Sequence, residues 1–192
     1  WSSLIFALSL NELKKKYSIK ISKIRRGNPF ELFIIENNKK YLNITKKIIN
    51  NFFKKNKIKN ICKIHYVHSN VRMTEYKKRI ATEYKKLPIC NPDFIYLDGP
   101  DQKNVIKGKS AFTTNHIDLM PMSSDIIKIE YFLIPGTIIL VDGRKANVNF
   151  LKDHLRRNWV YSYNKKVDLH FFYLNDKSLG EINDSLLKFY RN

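Results

Sequence analysis

The chain has 192 residues, 43% of them hydrophobic and 13% aromatic, enough for one domain that buries roughly 70% of its unfolded surface. Its 36 Lys and Arg against 17 Asp and Glu give a formal charge of +19, which invites a polyanionic partner. No apolar run approaches the roughly 20 residues that cross a bilayer, so no membrane-spanning helix is expected. Lys, Ile and Asn are abundant together, as AT-rich coding produces without selection for phosphate binding. No zinc-finger spacing, RNP motif or Arg-rich arm accompanies the charge, so nucleic acid is not the expected partner. Cys62 and Cys90 lie far apart without a CxxC, which argues against a disulfide framework or zinc site and for core thiols in a reducing, cytoplasmic setting.

The opening, WSSLIFALSLNELKKKY, lacks the basic start and small-residue cleavage site of a signal peptide and reads as a helix with something missing upstream. ELFIIEN, Glu31 to Asn37, is a short apolar run ending in an acid. After it, Leu42, Thr45, Ile48, Ile49, Phe52 and Phe53 recur at helical spacing. ICKIHYVHSN, Ile61 to Asn70, alternates like a strand; TEYKKRIATEYKKL supplies a helix or an irregular crossover; and DFIYLDGP reads as a strand buried on both faces. A loop from Asp101 to Pro121 follows. Ser123 or Ser124 can cap a helix over DIIKIEYFL, which stops at Pro135-Gly136, and TIILVDGR is a further strand ending on Asp-Gly. NVNFLKDHLRRN makes the next helix. WVYSYNKKVDLHFFYL reads as two strands joined by a polar turn, an antiparallel hairpin at the sheet edge. Tyr131, Phe132, Trp159, Tyr161, Phe171 and Phe172 are expected in the core, and the Arg25-Arg26 and Arg156-Arg157 pairs on solvated faces.

Strands alternating with helices specify a single α/β domain over 1–192. Its expected fold is Rossmann-like: a doubly wound, mostly parallel sheet, helices on both faces, an antiparallel C-terminal hairpin, and a ligand crevice at the carboxyl ends of the strands. Those ends carry Glu36 with Asn37, His68 with Ser69 and Asn70, Asp98 with Asp101, and Asp142 with Arg144. A carboxylate can accept two hydrogen bonds from a vicinal diol, so Glu36 is placed to hold a ribose, or is simply an exposed strand-end acid.

RRGNPFELFIIEN, PDFIYLDGPDQ, LMPMSSDIIKIEYFLIPGTIILVDGR and HLRRNWVYSY with DLHFFYL, spread over almost the whole chain, resemble class I S-adenosylmethionine-dependent methyltransferases, and more closely an uncharacterised bacterial group of that superfamily. The resemblance implies a seven-stranded sheet whose last strand is antiparallel. It also implies a glycine-rich loop after the first strand, which would lie upstream of Trp1. By position it places Trp1, Ser2 and Ser3 beside the amino-acid end of the cofactor, Glu36 at the ribose with Asn37 also in the cofactor site, His68, Ser69 or Asn70 at the adenine, and Asp98, Gly99 and Pro100 beside the sulfonium and the acceptor. The implied acceptor is a small molecule, such as a sugar or nucleotide-sugar of surface-glycan synthesis. A non-catalytic protein of the same fold and a nucleotide- or nucleic-acid-binding module are the alternatives; a homo-oligomer is compatible with each.

Metal-dependent O-methyltransferases, similar at fold level, imply Mg²⁺ between Asp98 and Asp142, with Asp101, Asn147 or Asn149 replacing the Asn that Gly143 displaces. Without metal, Asp98, Asp101, His116 or His170 would take the acceptor proton, and Asp142 completes the acidic rim. Arg144 either clamps an anionic acceptor or pairs with Asp142.

Overall fold

The six positions from Leu42 to Phe53 that share helical spacing all turn inward, while the residues between them face solvent. They define one stripe of a helix in the computed structural model, which describes residues 1–25, 27, 29–99, 105 and 122–191. Among the described residues the chain is a mixed α/β protein of five helices and nine strands. Its strands fall into three hydrogen-bonded sheets, and the chain divides into two compact units.

The first unit, Trp1–Asn70 with Lys85–Cys90, holds α1 (Ser2–Ile24), β1 (Glu31–Glu36), α2 (Lys39–Lys55) and β2 (Lys63–His68). β1 and β2 pair in parallel from Glu31 opposite Lys63 to Glu36 opposite His68. A parallel pair needs a crossover, and α2 supplies it. Asn38 starts that helix: its Oδ1 accepts from the amides of Lys40 at 2.9 Å and Tyr41 at 3.4 Å, satisfying donors the first turn would leave orphaned. Leu4 and Ala7 of α1 close a small core with Ile49 and Phe53. Asn11, fully buried, is tolerated there because its amide takes both partners it needs, donating to the Lys59 carbonyl and accepting from the Ile61 amide.

The second unit, Val71–Tyr84 with Asn91–Asn192, holds β3 (Val71–Tyr76), β4 (Arg79–Tyr84), β5 (Phe94–Leu97), β6 (Met122–Ser123), α3 (Asp125–Ile129), a 3-10 turn over Glu130–Phe132, β7 (Ile138–Asp142), α4 (Lys145–His154), β8 (Trp159–Asn164), β9 (Leu169–Leu174) and α5 (Glu181–Arg191). Its larger sheet runs β5-β7-β9-β8. β5 and β7 are parallel, β9 is antiparallel to both β7 and β8, and β8 with β9 forms the expected hairpin. Ile139, Val141 and Phe172 of this sheet pack with Val148, Phe150 and Leu151 of α4, each fully buried aliphatic side chain contributing roughly 1.5–3 kcal/mol.

Three expectations are corrected. TEYKKRIATEYKKL is neither helix nor crossover: it folds as the β3-β4 hairpin, paired from Val71 opposite Tyr84 to Tyr76 opposite Arg79. Lys77 and Lys78 both hold positive φ, 47° and 63°, the primed turn that matches strand twist, built without the Asn-Gly that usually announces it. Tyr131 and Phe132 are exposed, at 78% and 59%, because the helix tightens into a 3-10 turn at Glu130 and rotates them outward. Arg157 is not a solvated charge. Its guanidinium pairs with Asp176 at 2.8 Å and donates to the carbonyls of Glu130 and Leu133.

Candidate functional site

Within the first unit the register sets Glu36 directly opposite His68, so the carboxyl ends of β1 and β2 form one rim. The Glu36 backbone carbonyl accepts from the Ser69 amide at 3.1 Å, and the Asn37 carbonyl lies 3.1 Å from His68 Nε2. Glu36 Oε1 accepts from the Asn38 amide at 2.8 Å, which holds the carboxylate at the strand end and leaves Oε2 without a partner among the described residues. Ser69 is buried and its hydroxyl accepts from the Lys86 amide. His68 is exposed. Asn37 is 8% exposed, yet among the described residues neither Nδ2 nor Oδ1 of its amide has a hydrogen-bond partner. A buried amide without partners costs roughly 1–3 kcal/mol per group, so this donor and acceptor suit a ligand edge. Trp1, Ser2 and Ser3 stand at the amino end of α1, with Trp1 largely exposed and both serines half-buried.

In the second unit the parallel register of Leu97 with Val141 brings Asp98 and Asp142 to adjacent strand ends. Both carboxylates are exposed and both are engaged. Asp142 Oδ2 accepts from the Tyr96 hydroxyl at 2.7 Å, and Asp98 Oδ1 accepts from Arg144 Nη2 at 3.2 Å. Arg144 therefore pairs with Asp98, not with Asp142. The Asp-Gly ending of each strand has a conformational cause: Gly99 and Gly143 hold φ of +76° and +55°, the left-handed region that lets the chain turn sharply off a strand. At Gly99 a Cβ would also stand 3.1 Å from Arg144 Cδ and 3.2 Å from Asn147 Nδ2.

This acidic rim does not fit a divalent cation as arranged. The guanidinium on Asp98 puts a positive charge at the metal-facing edge. Asn147 Oδ1, one of the replacement ligands, is committed to the Ser123 amide at 2.9 Å. Among the described residues no group of three or more His, Cys, Asp and Glu is placed to hold a metal, and Mg²⁺ demands a near-octahedral set of oxygens. Asp101 and His116 lie outside the described residues, as does the loop between Asp101 and Pro121 apart from Val105.

One further group escaped the sequence reading. Asp125 accepts from the Ser123 hydroxyl at 2.9 Å and the Tyr84 amide at 3.0 Å; burial pushes its carboxyl up to about 6, against those two hydrogen bonds. Only its place in the first turn of α3 was a signal, and that reads as a helix start. His170, a sequence candidate, is buried beneath Tyr161 and Tyr163. Its Nδ1 lies 2.8 Å from the Tyr161 hydroxyl, its ring stacks on Tyr163 at 4.3 Å, and Tyr163 donates to Asp168 at 2.7 Å. Burial lowers the His170 pKa, with Asp168 pulling the other way. At 3% exposure the ring is a poor candidate to receive a proton from a bound acceptor.

In comparisons with known proteins, no protein-family model matches the chain and neither a curated protein nor a solved structure is significantly similar to it.

Proposed function

We propose that this chain carries the nucleoside-holding and acceptor-facing parts of an S-adenosylmethionine-dependent methyltransferase acting on a small molecule of the sugar or nucleotide-sugar class. The observation that carries the reading is the β1-β2 rim, where the Glu36 carboxylate is fixed by the Asn38 amide beside an unpartnered, buried Asn37 amide. Such a pair offers acceptors for a ribose diol and a donor-acceptor edge next to them. The antiparallel last strand of the β5-β7-β9-β8 sheet also supports it, and the doubly wound architecture belongs to the same proposal.

The residues fit such a cofactor. When bound, it supplies a sulfonium methyl group: the acceptor heteroatom bonds to the methyl carbon, the carbon–sulfur bond breaks with its pair staying on sulfur, and the acceptor proton leaves to a base. In the first unit Glu36 holds the ribose, and Asn37 and His68 border the base. In the second unit, taken by itself, Asp98 and Asp142 are exposed strand-end carboxylates, and Arg144, held on Asp98, offers its remaining N–H groups to an anion. Placement of reacting groups supplies much of the rate in such a transfer.

Calorimetry with S-adenosylhomocysteine tests the reading. Glu36→Ala is expected to weaken binding tenfold or more, about 1.4 kcal/mol, while Asp98→Ala, in the other unit, leaves cofactor binding within about threefold. Unchanged binding in Glu36→Ala, with its fold intact, would overturn the assignment.

A further inference from the structure

The positive charge is distributed unevenly between the two units. The first unit is about two fifths of the chain, yet it carries 18 of the 36 Lys and Arg and only three of the 17 carboxylates, Glu12, Glu31 and Glu36. Its formal charge is +15, against +4 for the rest. A coding bias toward Lys acts on the whole chain and predicts no such partition.

The charge is sharpest on α2. Its 17 residues contain six Lys and no carboxylate, and all six Lys are exposed. Lys40, Lys47 and Lys54 are spaced by sevens, which at 1.5 Å per residue sets them in a line of about 21 Å along the solvent side. Asn43, Asn50 and Asn51 are exposed between them. The inward stripe through Leu42, Ile49 and Phe53 pins the helix to its unit, so the line is presented on a fixed element. Like charges this dense repel one another at a cost, and among the described residues no ion pair offsets Lys40, Lys47 or Lys54.

We infer that the outer face of α2 docks the phosphate backbone of nucleic acid. A rigid row of ammonium groups alternating with amides matches a chain of phosphates, where Lys supplies charge and Asn supplies hydrogen bonds to phosphate and sugar oxygens. An anionic bilayer would be better served by a broad apolar face beside the charges. On α2 only Tyr41 and Ile44 are exposed large apolar side chains. The inference is independent of the cofactor reading and goes beyond it: the docked polymer is a binding partner, and nothing in the argument makes it the methyl acceptor.

The test is fluorescence anisotropy of the full chain with labelled single-stranded RNA and DNA of about 20 nucleotides and mixed sequence, titrated across salt. Binding is expected to fall steeply with salt. Lys40→Gln, Lys47→Gln and Lys54→Gln combined should weaken it at least tenfold and reduce the slope of log affinity against log salt by roughly 2, near 0.7 per lost phosphate contact on a single strand. A control that removes equal charge from the other unit, Lys165→Gln, Lys166→Gln and Lys177→Gln, should change affinity less than threefold. All six side chains are exposed, so circular dichroism and melting should be unaltered. The inference is overturned if the control weakens binding as much as the α2 set, if neither oligonucleotide binds at low salt, or if vesicles containing about a third phosphatidylserine bind while the oligonucleotides do not.

Discussion

Arg144 donates to Asp98 across the ends of two parallel strands, Nη2 to Oδ1 at 3.2 Å, and Gly99 lies against the stem of that arginine. The acidic rim of the second unit is thus partly neutralised by its own chain. The pair is half exposed, with side chains 32% and 65% accessible, so it contributes under about 1 kcal/mol to stability. Asp98→Asn should leave the melting temperature within error. Gly99→Ala should cost about 1–2 kcal/mol, since it forces a side chain into positive φ and places a Cβ 3.1 Å from Arg144 Cδ. Urea unfolding of the two variants separates the backbone requirement from the ion pair.

Asp125 links stability to pH. Its carboxyl is raised to about 6 by burial, above the roughly 3.9 of an unfolded Asp. The folded state therefore holds the proton more tightly, and stability falls as pH rises from about 4 through 6. A carboxyl raised from about 3.9 to about 6 corresponds to a limit of about 3 kcal/mol. Asp125→Asn keeps the shape without the charge, so relative to the parent it should gain on the order of 2 kcal/mol at pH 7 and close to nothing at pH 4. Urea midpoints at the two pH values check this; a variant effect equal at both would contradict it.

Glu130 organises the turn before β8. It is 1% exposed, and its Oε1 accepts from the amides of Arg156 and Arg157 and from the Trp159 indole, at 2.7, 2.8 and 2.9 Å. Glu130→Ala strands three donors and leaves Arg157 with less compensating charge, so a loss of about 3–5 kcal/mol is expected. Glu130→Gln keeps one acceptor oxygen and should recover a part of that. Thermal melting of both variants, with loss of the Trp159 fluorescence environment in the alanine form, is the readout.

The elements that could be read from the chain were those whose own periodicity settles them. The α2 stripe from Leu42 to Phe53 and the strands ending at Glu36, Leu97 and Asp142 fall where the pattern puts them. The hairpin β3-β4 did not, because Lys77 and Lys78 occupy positive-φ positions by tertiary context rather than by turn propensity. Tyr131 and Phe132 misled because helical spacing was extended past Glu130, where the chain tightens into a 3-10 turn.

At the candidate site, the pairing of Asp98 beside Asp142 follows from two parallel strands with Asp-Gly ends and was legible. The Arg144–Asp98 contact, the Tyr96 hydroxyl on Asp142 and the unpartnered Asn37 amide depend on side-chain packing across elements, which no local pattern encodes. The partition of charge could have been counted in the sequence, but only once the boundary between the units was known.

Amide chemical shifts of the isotope-labelled chain titrated with S-adenosylhomocysteine bear most directly on the cofactor assignment. Saturable shifts are predicted at Asn37, Asn38, His68 and Ser69, together with the Asn37 side-chain amide, and Glu36→Ala should move their saturation to at least tenfold higher ligand concentration. Saturable binding that moves other residues while these stay still would place the nucleoside elsewhere and contradict the account.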